Sequence, residues 1–294
     1  MDLVNEVGFP PGVFNLVQGM GSEIGAALVR DDRVRRISFT GSPETGRLIG
    51  ISAAKNLVPF TAELGGKGPF IVFADADIEA AAQKAAVMYD DSGQVCLAGT
   101  RLLVEASVRD EFMDHFKVHV SKHVAGDSRV GSTTMSPLIH PEHLKRVEGF
   151  VQRAREAGDT IMFGGQVVRE DGLWFEPTLI SPRDNDSEIV QNEVFGPVLT
   201  LQSFDSESQA IDLANSTKYG LSAIVFTSDV DRAARVGDAI RAGTIWVNAF
   251  LIRDLTAPFG GTGISGLGRE GGDYALDFYS DLKTLQIKQE TVRG

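Results

Sequence analysis

The chain predicts an α/β fold built on doubly wound parallel sheets. Three observations carry that expectation. Short apolar runs alternate with stretches of helical period through nearly all 294 residues. Ser, Asp, Gly and Pro punctuate the junctions as caps and turns. Hydrophobic residues make up 43% of the chain, enough for a large buried core.

Taken in order, Leu3, Val4 and Val7 suggest the tail of an amphipathic helix, stopped at Gly8 with Pro10 and Pro11 beyond. Residues 13–18 read as a strand, and 21–29 as a helix with Ser22 as its cap. A strand at 36–40, a helix at 43–55 and a strand at 60–64 complete a βαβαβ pattern. It begins mid-pattern, because no strand precedes the opening helix. Another strand at 70–73 and an alanine-rich helix at 78–89 lead to the loop that holds Cys96, and a strand at 101–105 leaves it. Helices at 108–124 and 140–157 flank a polar loop at 126–137. Strands at 161–168 and 173–180 form a less regular region. Strand 198–204, helix 206–215, strand 222–227, helix 230–241 and strand 244–248 resume the alternation. A Gly-rich loop at 259–272, a helix at 274–279 and a strand at 282–288 close the chain.

The bulk properties exclude several classes. A net charge of −12 disfavours nucleic acid, which requires clustered Lys and Arg. One cysteine rules out a disulfide framework within the chain and suits a reducing compartment. No signal-peptide pattern and no apolar run of spanning length is visible, so a cytoplasmic protein that does not enter membranes is expected.

The chemistry-bearing stretches are few. Cys96 sits at the end of an α/β crossover, where open sheets place ligands, and is either a nucleophile or a buried small hydrophobe. Thr40, Gly41 and Ser42 follow a strand and open a helix, which suits a phosphate as well as an ordinary capped turn. Glu63 ends a strand beside Gly65 and Gly66, as a general base or a solvated charge. Glu193 and Phe195 share one face of an extended segment, fit for a sugar hydroxyl and a flat ring. Arg253, between apolar Leu251, Ile252 and Leu255, reads as a partly buried cation needing an anion, with Asp254 as the alternative partner. His115, His119 and His123 stand at helical spacing, but without acidic or cysteine partners they read as a solvated face, and no metal is expected.

Together these pieces resemble the aldehyde dehydrogenase superfamily. The matching stretches are Phe39-Thr-Gly-Ser42, Glu63-Leu-Gly-Gly-Lys67, Gly93-Gln-Val-Cys96, Glu193-Val-Phe-Gly-Pro197, Asn248, and Pro258-Phe-Gly-Gly261 with Ser265-Gly-Leu-Gly-Arg-Glu270. Their order and spacing fit over essentially the whole chain. The resemblance implies a Rossmann-like NAD-binding part at 1–64, a catalytic domain at 65–280, and an oligomerisation strand and tail at 281–294 of a dimer or tetramer. It implies that the Cys96 thiolate attacks an aldehyde carbon, that hydride passes to NAD or NADP, and that Glu63 activates water to hydrolyse the thioester. The Cys96 N–H serves the oxyanion. Ser42, with Thr40 and Gly41, contacts the pyrophosphate, the Leu64 carbonyl the carboxamide, Glu193 the ribose and Phe195 the nicotinamide. The stretch from Asn248 to Leu255 further resembles the hydroxymuconic, aminomuconic and carboxymethyl-hydroxymuconic semialdehyde dehydrogenases, which implies a carboxylated substrate at Arg253 and Phe259.

Two departures stand out: Asp91 replaces the usual Asn, and Gly263 the usual Lys. Family chains are also longer, with an N-terminal part that carries an oxyanion asparagine and the adenine-ribose contacts. A C-terminal fragment or truncated product is therefore expected, with weakened cofactor binding and the loss of roughly 10²–10³ in rate that follows a missing oxyanion donor. Two other readings remain: a cysteine esterase or acyl-transferase without hydride transfer, and a non-catalytic remnant.

Overall fold

The computed structural model describes residues 2–169 and 171–288. Ten helices, α1 (Asp2–Glu6), α2 (Ala26–Arg30), α3 (Pro43–Asn56), α4 (Ile78–Ala86), α5 (Arg109–Val120), α6 (Pro141–Glu156), α7 (Glu188–Gln191), α8 (Glu207–Ala214), α9 (Val230–Ala239) and α10 (Gly272–Tyr279), surround two sheets among the described residues. The smaller sheet pairs β1 (Ile37–Thr40) parallel to β2 (Phe60–Glu63), and β10 (Gly266–Leu267) antiparallel to β2. The larger contains β3 (Pro69–Val72), β4 (Arg101–Glu105), β5 (Thr160–Phe163), β6 (Thr178–Ser181), β7 (Val198–Phe204), β8 (Ser222–Phe226) and β9 (Thr244–Val247), in the order β5-β6-β7-β4-β3-β8-β9. All its pairings are parallel except β5 with β6.

Both faces of the larger sheet are covered, which is why its strands read as continuous apolar runs. Phe70, Val72, Leu102 and Val104 pack against α4 and α5, whose Ala81, Ala82 and Ala85 permit close approach and whose Phe112 and Phe116 fill the layer. Ile71 and Leu103 point the other way, toward Ala210 of α8 and Val236 of α9. A third cluster joins Val147, Phe150 and Val151 of α6 to Val190, Val194 and Val198.

Several expectations need correction. Residues 13–18 pair with nothing among the described residues, and Val13, Phe14, Leu16 and Val17 are exposed. A strand exists only through its ladder, and β1 is bonded on one side alone. Ser22 caps nothing: it lies inside a π-helical turn that precedes α2, whose start has no side-chain cap. Residues 282–288 pair with no strand among the described residues, Leu282, Leu285 and Ile287 are exposed, and 289–294 lie outside the described residues. The helix carrying His115 and His119 ends at Val120, so His123 leaves their face and bonds Asp90 at 3.0 Å.

One charge sits inside this frame. Arg101, 1% exposed, opens β4. Its Nε donates to the Lys67 carbonyl at 2.9 Å, and its Nη1 and Nη2 to the Leu213 and Ala214 carbonyls at 2.7 Å each. Those two are terminal carbonyls of α8, at the negative end of its dipole, and the Leu213 carbonyl also accepts from the Ser216 hydroxyl at 2.7 Å. Arg101→Met strands two buried acceptors, the Lys67 and Ala214 carbonyls, so we expect a loss of about 3–5 kcal/mol in urea unfolding. A loss of about 1 kcal/mol or less, the size of a surface change, would show that the guanidinium does not hold this junction.

Candidate active site

The two sheets meet at one cleft. Glu63 and Thr40 stand at the carboxyl ends of β2 and β1. The link 64–68, Cys96 and the turn 193–195 all precede strands, namely β3, β4 and β7. The cysteine therefore lies at the amino edge of the larger sheet, and the expected rule of carboxyl-end sites holds only for the smaller one. The cleft, about 340 Å³, is lined by Thr40, Gly41, Ser42, Glu63, Leu64, Gly65, Cys96, His143, Arg146, Glu193 and Phe195. Every residue expected to act on a thiol, a base or a cofactor is among them.

Local geometry explains each position. Ser42 caps α3, accepting from the Thr45 N–H at 3.2 Å, with Pro43 next in line. The Glu63 carbonyl accepts from Gly41 N–H at 3.0 Å, and Leu64 N–H donates to Ser265 at 2.8 Å, which fixes the end of β2. Gly66 is required by crowding, because a Cβ there would strike the Cys96 carbonyl, while a Cβ on Gly65 would push Glu193 Oε2 out of its place. Gly66 N–H donates to Glu193 Oε1 at 3.0 Å. Before Cys96, Asp91 and Ser92 adopt φ of 52° and 54°, followed by Gly93 at 66°. Aspartate tolerates this left-handed region as asparagine does, so the Asp91 departure suits its backbone. Gln94 ties the loop down, accepting from Ile139 N–H at 2.9 Å and donating to the Asp91 carbonyl at 3.1 Å.

Burial governs the electrostatics. Glu63 is 7% exposed, and neither carboxylate oxygen has a hydrogen-bond partner among the described residues. Burial, with the Glu270 carboxylate, pushes its carboxyl up to about 7 against the pull of Arg269 and Arg253. Burial also raises Glu193, countered by the Gly66 N–H, Lys67 and Arg146. Lys67, 2% exposed with an unpartnered Nζ, is pushed down to about 7 by burial and by Arg101. Cys96 is a free, half-buried thiol. Burial raises its pKa above the ordinary thiol value, Glu193 and Glu63 add to this, and the N–H groups of Cys96 and Leu97 pull the other way.

Arg253 and Phe259 line a neighbouring cleft of about 320 Å³ that reaches Leu97, the residue after Cys96, and includes Trp246. The guanidinium lies 5.2 Å from the Phe259 ring centroid. It is exposed rather than partly buried, since Leu251, Ile252 and Leu255 are themselves exposed. The Asp254 alternative is also answered: its Oδ1 accepts from the Thr256 N–H and hydroxyl at 2.9 and 2.7 Å, and Arg253 has no ion pair among the described residues. Asn248 spends its amide on Thr227, donating to the carbonyl at 2.8 Å and accepting from the N–H at 3.0 Å. His143 and Arg146 were not anticipated. Their spacing on the 140–157 helix marks a shared face, but nothing in that pattern points to Glu193 and Phe195.

The family model described as the aldehyde dehydrogenase family matches residues 1–285. The chain belongs to the aldehyde dehydrogenase family. Among its relatives, the (Z)-2-((N-methylformamido)methylene)-5-hydroxybutyrolactone dehydrogenase of Acinetobacter baylyi is 43% identical over 289 residues, 97% of this chain and 59% of that protein. The 2-aminomuconic 6-semialdehyde dehydrogenase of a Pseudomonas species is 39% identical over 294 residues, 98% of this chain and 60% of that one. A crystal structure of betaine aldehyde dehydrogenase from Staphylococcus aureus in complex with NAD+ superposes with a TM-score of 0.91 at 43% identity, covering 95% of this chain and 56% of that chain. This aldehyde dehydrogenase chain thus spans under two thirds of the length of those proteins.

In this family member the thiol environment makes a direct prediction. Alkylation of Cys96 by limiting iodoacetamide should follow a pH profile whose midpoint lies above that of an ordinary, exposed cysteine thiol. Glu193→Gln removes one of the charges that raise it, so the midpoint should fall. A midpoint that does not move in Glu193→Gln would separate the carboxylate from the thiol. Labelling seen only after denaturation would make Cys96 a core residue.

Proposed function

We propose that the chain supplies the catalytic part of an NAD-dependent aldehyde dehydrogenase that oxidises a carboxylated semialdehyde, of the kind met in aromatic catabolism, to the acid. The observation that carries the reading is the single cleft holding Cys96, Glu63, Ser42, Glu193 and Phe195. Residues 1–64 and 65–280 are read as the cofactor-binding and catalytic parts, and 281–294 as the strand and tail of a cytoplasmic dimer or tetramer.

The donor set fits a dinucleotide. Ser42 offers its hydroxyl and, with Glu44, a backbone N–H to a pyrophosphate at the positive end of α3, where Pro43 has no N–H and those of Thr45 and Gly46 are bonded to Ser42. Glu193 presents a carboxylate for ribose hydroxyls, Phe195 an apolar ring for the nicotinamide, and Leu64 a carbonyl for the carboxamide. When bound, NAD supplies the hydride acceptor. The protein does the rest. The Cys96 thiolate adds to the aldehyde carbon, and the Cys96 N–H donates to the oxyanion formed. After oxidation the acyl group remains as a thioester on Cys96. Glu63, in its ionised form, takes a proton from the water that cleaves this bond and frees the thiol. A carboxyl raised to about 7 is half ionised near neutrality, so the hydrolytic step should quicken as pH rises through that value and level off above it.

The test is NAD+ reduction by the purified protein on addition of a semialdehyde. Glu63→Gln should give a burst of NADH near one equivalent per chain, followed by little turnover. An unchanged steady-state rate would remove Glu63 from the mechanism, and ester hydrolysis with no NAD requirement would select an acyl-transfer enzyme instead.

Arg253 supports the finer substrate reading. Its guanidinium rests on Phe259 with no acid partner among the described residues, and the 2-aminomuconic 6-semialdehyde dehydrogenase is among its relatives. An exposed charge pair contributes about 0.2–1 kcal/mol, so Arg253→Ala should raise KM for a carboxylated semialdehyde by up to about five-fold. An uncharged aldehyde of similar length should be nearly unaffected. Equal losses for both substrates would assign Arg253 to the fold and leave the carboxylate without a receptor.

A further inference from the structure

Two side chains of α6 reach the cleft and take no part in the chemistry above. His143 Nε2 donates to the Phe195 carbonyl at 2.7 Å, and Arg146 Nη2 donates to the Glu193 carbonyl at 2.8 Å. Three residues apart, they share one face of the helix. The buried face of α6, through Val147, Phe150 and Val151, is anchored in the cluster that also holds Val190, Val194 and Val198. The helix is therefore fixed to the segment on both sides of the turn 193–195, and its two polar side chains hold the backbone of the turn itself.

That turn opposes its own sequence. Phe195 adopts φ 59°, a left-handed conformation that a bulky side chain resists. It is also confined, because the Gly196 carbonyl packs where a Cβ on Gly93 would lie, three residues before Cys96. In this conformation Glu193 meets Gly66 N–H and Phe195 lines the cleft. A relaxed turn would re-aim both side chains.

We infer that His143 is a positioning residue: its hydrogen bond to the Phe195 carbonyl, seconded by Arg146 at Glu193, holds the left-handed turn that aims the carboxylate and the ring into the cleft beside Cys96. Either the neutral Nε2–H tautomer or the imidazolium donates this bond. The consequence for nucleotide binding rests on the reading of Glu193 and Phe195 as cofactor contacts. The consequence for the turn does not.

A thermal-unfolding cycle without nucleotide tests the turn. His143→Leu should lower Tm, and the same change should cost much less in a Phe195→Gly background, where glycine adopts the left-handed backbone freely. His143→Gln keeps an N–H donor and should regain most of the loss. Because glutamine lacks the ring, that recovery assigns the effect to the hydrogen bond and not to the edge contact between His143 and Phe195, whose centroids lie 6.0 Å apart. In calorimetric titration with NAD+, His143→Leu should bind roughly ten-fold more weakly, with His143→Gln again recovering. Equal Tm losses in the two backgrounds, or a His143→Gln no better than His143→Leu, would overturn the proposal. If the unaltered protein bound no NAD+, the cofactor reading would fall, and the Tm cycle alone would decide the positioning role.

Discussion

Five residues, 64–68, carry the chain from the end of β2 to the start of β3, and this link is the constraint on which the site depends. It must cross from one sheet to another while leaving room for the Cys96 carbonyl on one side and the Glu193 carboxylate on the other. A Cβ at Gly66 would meet the carbonyl, and one at Gly65 would displace the carboxylate. Once the two glycines are in place, the Gly66 N–H holds Glu193, and the Lys67 carbonyl is held by Arg101. The Glu63 carboxylate before the link and the thiol beyond it are then brought to one cleft by backbone geometry. Each side chain needs only to point inward.

The cost of this closeness is charge in a poorly solvated place. Glu63 and Lys67 are both pushed to about 7 from opposite directions, and Arg101 down to about 10. In each the first cause is burial, which disfavours the ionised form of either sign. A site held near its own neutral point can exchange protons at neutral pH, which is what general-base chemistry requires. The thiol is the exception. It is held back from ionising by the same burial and by the two carboxylates around it.

Much of the fold was legible because buried parallel strands leave an unambiguous mark. The strands at 101–105 and 198–204 appear with the bounds their apolar runs predict, and the helix at 140–157 differs by one residue at each end. The capped turn at Ser42 was legible for a similar local reason, since proline at N1 and a hydroxyl before it specify a helix start. Segment 13–18 misled because apolar alternation describes a strand only when a neighbour bonds it. Arg253 misled because apolar neighbours in sequence are not burial, and those neighbours are exposed. The edge on which Cys96 lies, and the grip of His143 on Phe195, depend on contacts between residues dozens of positions apart. Periodicity carries no trace of such pairings.

The strand β10 has a consequence for how the molecule assembles. Gly266 and Leu267 pair with Glu63 and Ala62, so β2 finds one of its two neighbours only about two hundred residues later in the chain. Loop closure on that scale comes late, because the entropy of a long tether must be overcome before the pairing returns any stability. During synthesis the larger sheet can close around its helices while the smaller one still lacks an edge. Leu64 N–H, which donates to the Ser265 carbonyl, and Thr61, whose hydroxyl donates to the Leu267 carbonyl, stay unpartnered until then. The carboxylate of Glu63 therefore gains its dry surroundings, and with them its shifted acidity, among the last events of folding. A ribosome-bound chain that has not released residues 265–267 holds the thiol but not yet the buried carboxylate.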